Sequence, residues 1–160
     1  MGMGLMKKQQ SAGKIVIGWA EGVDFVDWGI SDVQAKIDTG ARTSVLHVED
    51  FDRLPDGSVV FRVVVDRRDH GEGVWVRAKV LKWARVRSST GIYRKRCFVR
   101  TRIRIGPIEK EIELSLASRE RMVFRMLLGR KAIEKDFLVD VSRRRVLGRR
   151  ARRNREPRTS

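Results

Sequence analysis

Within VQAKIDTGARTSVLHV, residues 33–48, three residues interrupt a run that otherwise suits a half-buried strand: Asp38, Thr39 and Gly40. A carboxylate held beside a glycine suits acid–base chemistry. The glycine permits a sharp backbone turn closed to other residues, and the turn can aim the carboxylate into a cleft, where it can take or give a proton. The tripeptide alone is also an ordinary turn, so the argument rests on the elements around it.

Other residue types suggest less. His47, His70 and Cys97 are the only histidines and cysteine, and no His-Glu-x-x-His or paired cysteines occur. A three-ligand zinc site would have to gather scattered residues, so no metal is expected. No G-x-x-x-x-G-K-[ST] stretch is present to cradle phosphates, so ATP is not expected either. Ser88 and Ser89 lie outside any G-x-S-x-G and read as a loop tip. His47 is expected to be a structural histidine and Cys97 a buried small residue. Trp19, Trp28, Trp75 and Trp83 are expected to pack.

The positioning elements follow a period of two far more often than 3.6. KIVIGW at 14–19, VQAKI at 33–37, TSVLHV at 43–48, VVFRVVV at 59–65 and VWVRAKV at 74–80 read as strands. In CFVRTRIRI, Val99, Thr101, Ile103 and Ile105 share one face, and Arg100, Arg102 and Arg104 share the other. After the Gly106-Pro107 turn signal, Ile108, Ile112, Leu114 and Leu116 alternate among glutamates. A hairpin is expected there, its Arg and Glu faces meeting across strands. One short helix is expected at Lys131–Lys135, after Gly129. The fold class is all-β, a barrel or sandwich of many short strands.

The 160 residues fit one domain, at 14–148, between an N-terminus (1–13) and a basic tail (149–160) that are both expected to be disordered. With a single cysteine, no run long enough for a membrane span and no signal-peptide core at the N-terminus, a soluble cytoplasmic protein is expected. Half of the +16 net charge falls in residues 143–160, where nine arginines meet one glutamate. Such a run suits contact with nucleic acid or a ribosome, or serves as a solvated tail.

The segment AKIDTGA resembles the active-site loop of retropepsin-like aspartic proteases. VRSSTGIYRKR, at 86–96, is similar to the flap hairpin of that family, and MLLGRKAI, at 126–133, to the apolar-apolar-Gly-Arg segment and helix that close the fold. Together, IGW, AKIDTGARTSVLH, RSSTG, FRMLLGR and FLVD resemble bacterial proteins known as RimK-associated ATP-dependent zinc proteases. The resemblance implies a retropepsin-like acid protease barrel with Asp38, Thr39 and Gly40 as the catalytic loop. By the same resemblance, Thr39 locks two loops and Gly40 admits the substrate backbone. Flap and substrate contacts fall to Arg42, Arg87, Ser88, Ser89, Gly91 and Arg94, and fold closure to Leu127, Leu128, Gly129 and Arg130.

Only one Asp-Thr-Gly is present, so a two-carboxylate mechanism needs a second copy of the chain, which makes the expected protein a homodimer. Asp140, in FLVD, is a weaker intramolecular candidate, read more simply as structural. RimK-type ligases add glutamates to protein C-termini, and the resemblance implies a peptidase acting on that product. Arg42, Arg87, Arg94, Lys95 and Arg96 would suit an acidic or glutamate-tailed substrate. Two further readings are a basic nucleic-acid or ribosome-binding β-barrel and a non-catalytic module that binds tails. Against the nucleic-acid reading, no phenylalanine or tyrosine is expected to cluster with the arginines.

Overall fold

The computed structural model describes residues 13–65, 73–87, 90–118 and 123–148. The expected disordered ends, His70, Ser88 and Ser89 lie outside the described residues. Twelve strands are described: β1 (Ile15–Gly18), β2 (Ala20–Phe25), β3 (Ile30–Ile37), β4 (Ser44–His47), β5 (Glu49–Arg53), β6 (Val59–Val63), β7 (Val74–Ala78), β8 (Val80–Arg87), β9 (Tyr93–Ile105), β10 (Ile108–Ala117), β11 (Met126–Leu128) and β12 (Phe137–Asp140). A short helix, α1 (Arg130–Ile133), joins the last two strands. It starts one residue before the expected Lys131 and stops short of Lys135, whose backbone turns to a positive φ of 85°.

One large sheet runs β10-β4-β11-β3-β2-β9-β8, and β9 returns to pair with β10. The sheet thereby curls on itself. It is thick at the β9–β10 hairpin, which pairs from Ile108↔Ile105 to Leu116↔Cys97, and thin at β2–β9, where only Asp24↔Arg104 and Phe25↔Ile103 meet. It is therefore a curled sheet rather than an even barrel. The strands β5-β6-β7 form a separate small sheet, and β1 pairs in parallel with β12.

The alternation read from the sequence accounts for the core. Val99, Thr101, Ile103 and Ile105 are buried, and so are Ile112, Leu114 and Leu116 of the facing strand. All of these but Thr101 pack with Phe25, Val33, Ala35, Leu46, Phe61, Met126 and Leu128 in one hydrophobic cluster. Each fully buried side chain of this size contributes about 1.5–3 kcal/mol. On the opposite face, Arg100 pairs with Glu111 at 3.3 Å and Arg104 with Glu109 at 3.2 Å, so the expected Arg–Glu ladder forms. These pairs are exposed, and each contributes less than about 1 kcal/mol.

The sequence reading missed β2, the start of β3, β5 and most of β8. In β2 (AEGVDF), polar residues occupy positions that the fold buries: Glu21 is fully enclosed. Its carboxylate accepts the backbone N–H groups of Gly18 (2.7 Å), Val146 (2.9 Å) and Leu147 (3.1 Å). The chain beyond β12 is thus strapped across β1 and β2, and Arg145 reinforces it by pairing with Asp32 at 3.3 Å. Part of the basic run from 143 onward therefore belongs to the folded body, because its backbone N–H groups have a buried acceptor. Arg144 lies over the rings of Trp19 and Phe124.

Three of the four tryptophans pack as expected: Trp19 against Phe124, Trp28 against Phe25 and Phe61, and Trp83 against Phe51. Trp75 does not; it is 59% exposed on β7, the edge of the small sheet. The separation of aromatics from cations is also overturned. The Arg53 guanidinium sits 3.8 Å from the Trp83 ring centre, and Arg87 lies over Tyr93 at 6.0 Å. Arg53 and Trp83 belong to different sheets, which spacing along the chain does not reveal, whereas Arg87 and Tyr93 face each other across one hairpin.

Candidate active site

β3 delivers Asp38 to the site. Val33, Ala35 and Ile37 face the core and fix the strand, and at its end the Asp38 N–H donates to the Leu128 carbonyl at 2.9 Å. The side chain then turns back on its own loop. Gly40 N–H donates to Asp38 Oδ1 at 3.0 Å, and Ala41 N–H to the Asp38 carbonyl at 3.2 Å. Together these bonds make a tight turn that holds one carboxylate oxygen and leaves the half-buried group open to one side. Thr39 and Gly40 are exposed beside it.

The segment after β11 clamps this loop from the other side. Arg130 Nη1 donates to the Thr39 carbonyl at 2.9 Å, while the N–H groups of Arg130 and Lys131 reach the carbonyls of Ala41 (2.8 Å) and Arg42 (3.1 Å). The approach requires glycine at 129. A Cβ there would lie 2.6 Å from the Thr43 carbonyl carbon, closer than any real contact. Gly129 N–H instead meets the buried Ser44 Oγ at 3.1 Å, and Ser115 Oγ donates to the Ser44 carbonyl at 3.3 Å. Ser44 was missed in the sequence reading. Its signal was a hydroxyl at the head of a strand, SVLH, that is buried throughout.

Of the residues singled out in the sequence, Asp38, Thr39, Gly40, Gly129 and Arg130 come together in this one substructure. Leu127 and Leu128 place it by pairing β11 in parallel with β3 and antiparallel with β4. Arg42 is exposed at the loop's end. Arg87, Gly91 and Arg94 belong to the β8–β9 hairpin, where Arg87 pairs with Tyr93 and Gly91 takes a φ of +83°.

The remaining candidates have structural surroundings. Asp140 accepts the Ser142 hydroxyl at 2.6 Å and the Ser142 N–H at 3.0 Å, and these bonds hold its carboxyl below the ordinary value. His47 is fully buried, with Nε2 3.6 Å from Glu49. Burial pushes the Cys97 thiol up, against the smaller opposing influence of Arg53. Among the described residues, no three His, Cys, Asp or Glu side chains are grouped to hold a metal, and no helix is long and apolar enough to cross a membrane.

A curled β-sheet that ends one strand in Asp-Thr-Gly and clips that loop to an apolar-apolar-Gly-Arg segment is a retropepsin-like arrangement. The chain belongs to the RimB-like family: residues 16–150 match the model of the retropepsin-like aspartic endopeptidase RimB. It is 33% identical, over 86% of its length, to a probable alpha-L-glutamate ligase of Shewanella halifaxensis, and 32% identical over 87% to one of Desulfotalea psychrophila. The chain spans only 31% of either relative. The crystal structure of a Legionella pneumophila protein of unknown function (DUF785) shares the fold, with a TM-score of 0.67 at 24% identity, covering 82% of this chain and 97% of that one.

Proposed function

We propose that the protein is a homodimeric aspartic peptidase that trims acidic, glutamate-rich protein tails. The observation that carries this reading is the Asp38 carboxylate, half-buried at the end of β3 and held by Gly40 N–H on a loop clamped by Arg130. Each chain supplies one such loop, so the second carboxylate comes from a second copy across a two-fold axis. The exposed Thr39 and Gly40 suit that juxtaposition.

Two Asp38 carboxylates a few ångströms apart cannot both ionise cheaply, so they share one proton. The ionised member takes a proton from the water between them, and that water attacks the scissile carbonyl. The protonated partner donates to the carbonyl oxygen, and no covalent intermediate forms. Gly129 and Ser44 keep the loop at a fixed height beneath the substrate, which is the positioning such chemistry needs.

The substrate class rests on charge and on the relatives. The domain is basic, and a region similar to this whole domain makes up about a third of proteins named as glutamate ligases. Fusion of that kind suits an enzyme acting on the ligase's product. The test is the hydrolysis rate of a glutamate-terminated peptide and of a neutral peptide as the protein is diluted. Specific activity is expected to fall with dilution and to favour the acidic peptide at low salt. Full activity as a monomer would overturn the shared site, and equal rates on both peptides would overturn the preference.

A further inference from the structure

Away from the Asp38 loop, β5, β8, β9 and the end of β10 enclose a pocket of about 220 Å³ lined by Phe51, Trp83, Lys95, Arg96, Cys97 and Leu116, among others. Its chemistry is uneven. The floor is apolar, formed by the buried Val48, Cys97 and Leu116, whereas the rim is cationic. Arg53 lies over the Trp83 ring at 3.8 Å, and Lys95 Nζ is 6.0 Å from the same ring.

Among the described residues, the nearby acids have other partners than these side chains. Glu49 and Asp50 pair with Arg62, Glu113 meets Lys82 and Lys131, and Asp52 accepts the Arg53 backbone N–H. Among the described residues, no carboxylate pairs with Arg53, Lys95 or Arg96. Two cations thus meet on one ring at the edge of a concave site, and among the described residues neither has a carboxylate partner, an arrangement that self-repulsion disfavours until an anion enters.

We propose that this pocket binds glutamate side chains of an acidic peptide tail, the carboxylate meeting Arg53 and Lys95 and the methylenes lying on Val48 and Leu116. The assignment deepens the peptidase reading above and rests on it for the source of the tail. A nucleic acid fits less well, because Arg53 already covers the Trp83 ring on which a base would stack. The pocket is separate from the Asp38 loop in the sheet. β10 pairs with β4 from Leu114↔Ser44, beside Gly129, to Ala117↔His47, so Leu116 lies toward the far end of β4. The site would therefore hold the tail at a distance from the bond being cut.

The test is calorimetric binding of hexaglutamate to the full chain carrying Asp38→Asn, which separates binding from cleavage. Adding Arg53→Gln and Lys95→Gln is expected to weaken binding about tenfold or more, about 1.4 kcal/mol, because both cations are solvent-exposed. A control that removes the same charge from the Arg–Glu ladder, Arg100→Gln with Arg102→Gln, is expected to change affinity far less. Equal losses in both variants, or no binding of hexaglutamate at all, would overturn the site. So would single-stranded DNA that loses affinity in the pocket variant while hexaglutamate does not. Hexaglutamate that binds in the pocket but is not hydrolysed by the wild-type chain would sink the peptidase reading and leave the site standing.

Discussion

Arg130 Nη1 donates to the Thr39 carbonyl at 2.9 Å, across 91 residues of sequence, and ties the helix start to the middle of the Asp-Thr-Gly loop. A guanidinium at the surface contributes little to stability through such a bond. Its effect here is positional, since the carbonyl it holds lies one peptide from the Asp38 carboxylate. Arg130→Met is expected to lower peptidase activity about tenfold to a hundredfold, the scale of a small misplacement near reacting groups. The thermal midpoint should move little, and Arg130→Lys should restore part of the activity. A variant as active as wild type would show that the clamp does not position the loop.

The buried Glu21 carboxylate predicts a stability effect remote from the chemistry. Its oxygens accept three backbone N–H groups, two of them from the strap at 146–147. Glu21→Ala leaves those donors unsatisfied, at a cost of about 3–5 kcal/mol in total. Chemical denaturation should report that loss, and proteolysis should cut first near Val146. A loss below about 1 kcal/mol would mean that water satisfies the donors instead.

Asp140 separates a structural carboxylate from a catalytic one. The Ser142 hydroxyl, and then its N–H, hold the Asp140 carboxyl below its ordinary 3.8. A carboxyl depressed by folding stabilises above its unfolded value, and that contribution disappears as pH falls through the folded value. Asp140→Asn is therefore expected to lower stability slightly at neutral pH, to converge with wild type in strong acid, and to leave activity unchanged. Melting curves from pH 2 to 7, with a peptidase assay at each end, check both parts. Loss of activity without loss of stability would return Asp140 to the list of catalytic candidates.

What was legible in the sequence follows from range. The Arg100, Arg102 and Arg104 alternation predicted both the buried face and the ion-pair ladder, because period-two patterning acts between strands joined by a tight turn. The Asp38 loop and Gly129-Arg130 were legible as motifs through their resemblance, and at Gly129 the residue type is dictated by close backbone approach; Gly40 takes no positive φ, so the sharp turn expected of it is made by hydrogen bonds instead. Glu21 and Arg53 were not. Glu21 reads as a solvated residue until the strap arrives from the other end of the chain, and Arg53 meets Trp83 only once two separate sheets are in place. Asp32 likewise adopts a φ of 58° inside β3, held by Asp24 and Arg145, which periodicity does not foresee.

The most direct test of the account is hydrolysis of a peptide ending in several glutamates by wild-type protein and by Asp38→Asn, from acid to neutral pH, with and without a chelator. The account predicts wild-type activity that survives the chelator and is absent in the variant, because the Asp38 carboxylate and its symmetry mate activate the water. Wild-type activity abolished by the chelator, or equal hydrolysis by Asp38→Asn, would contradict it.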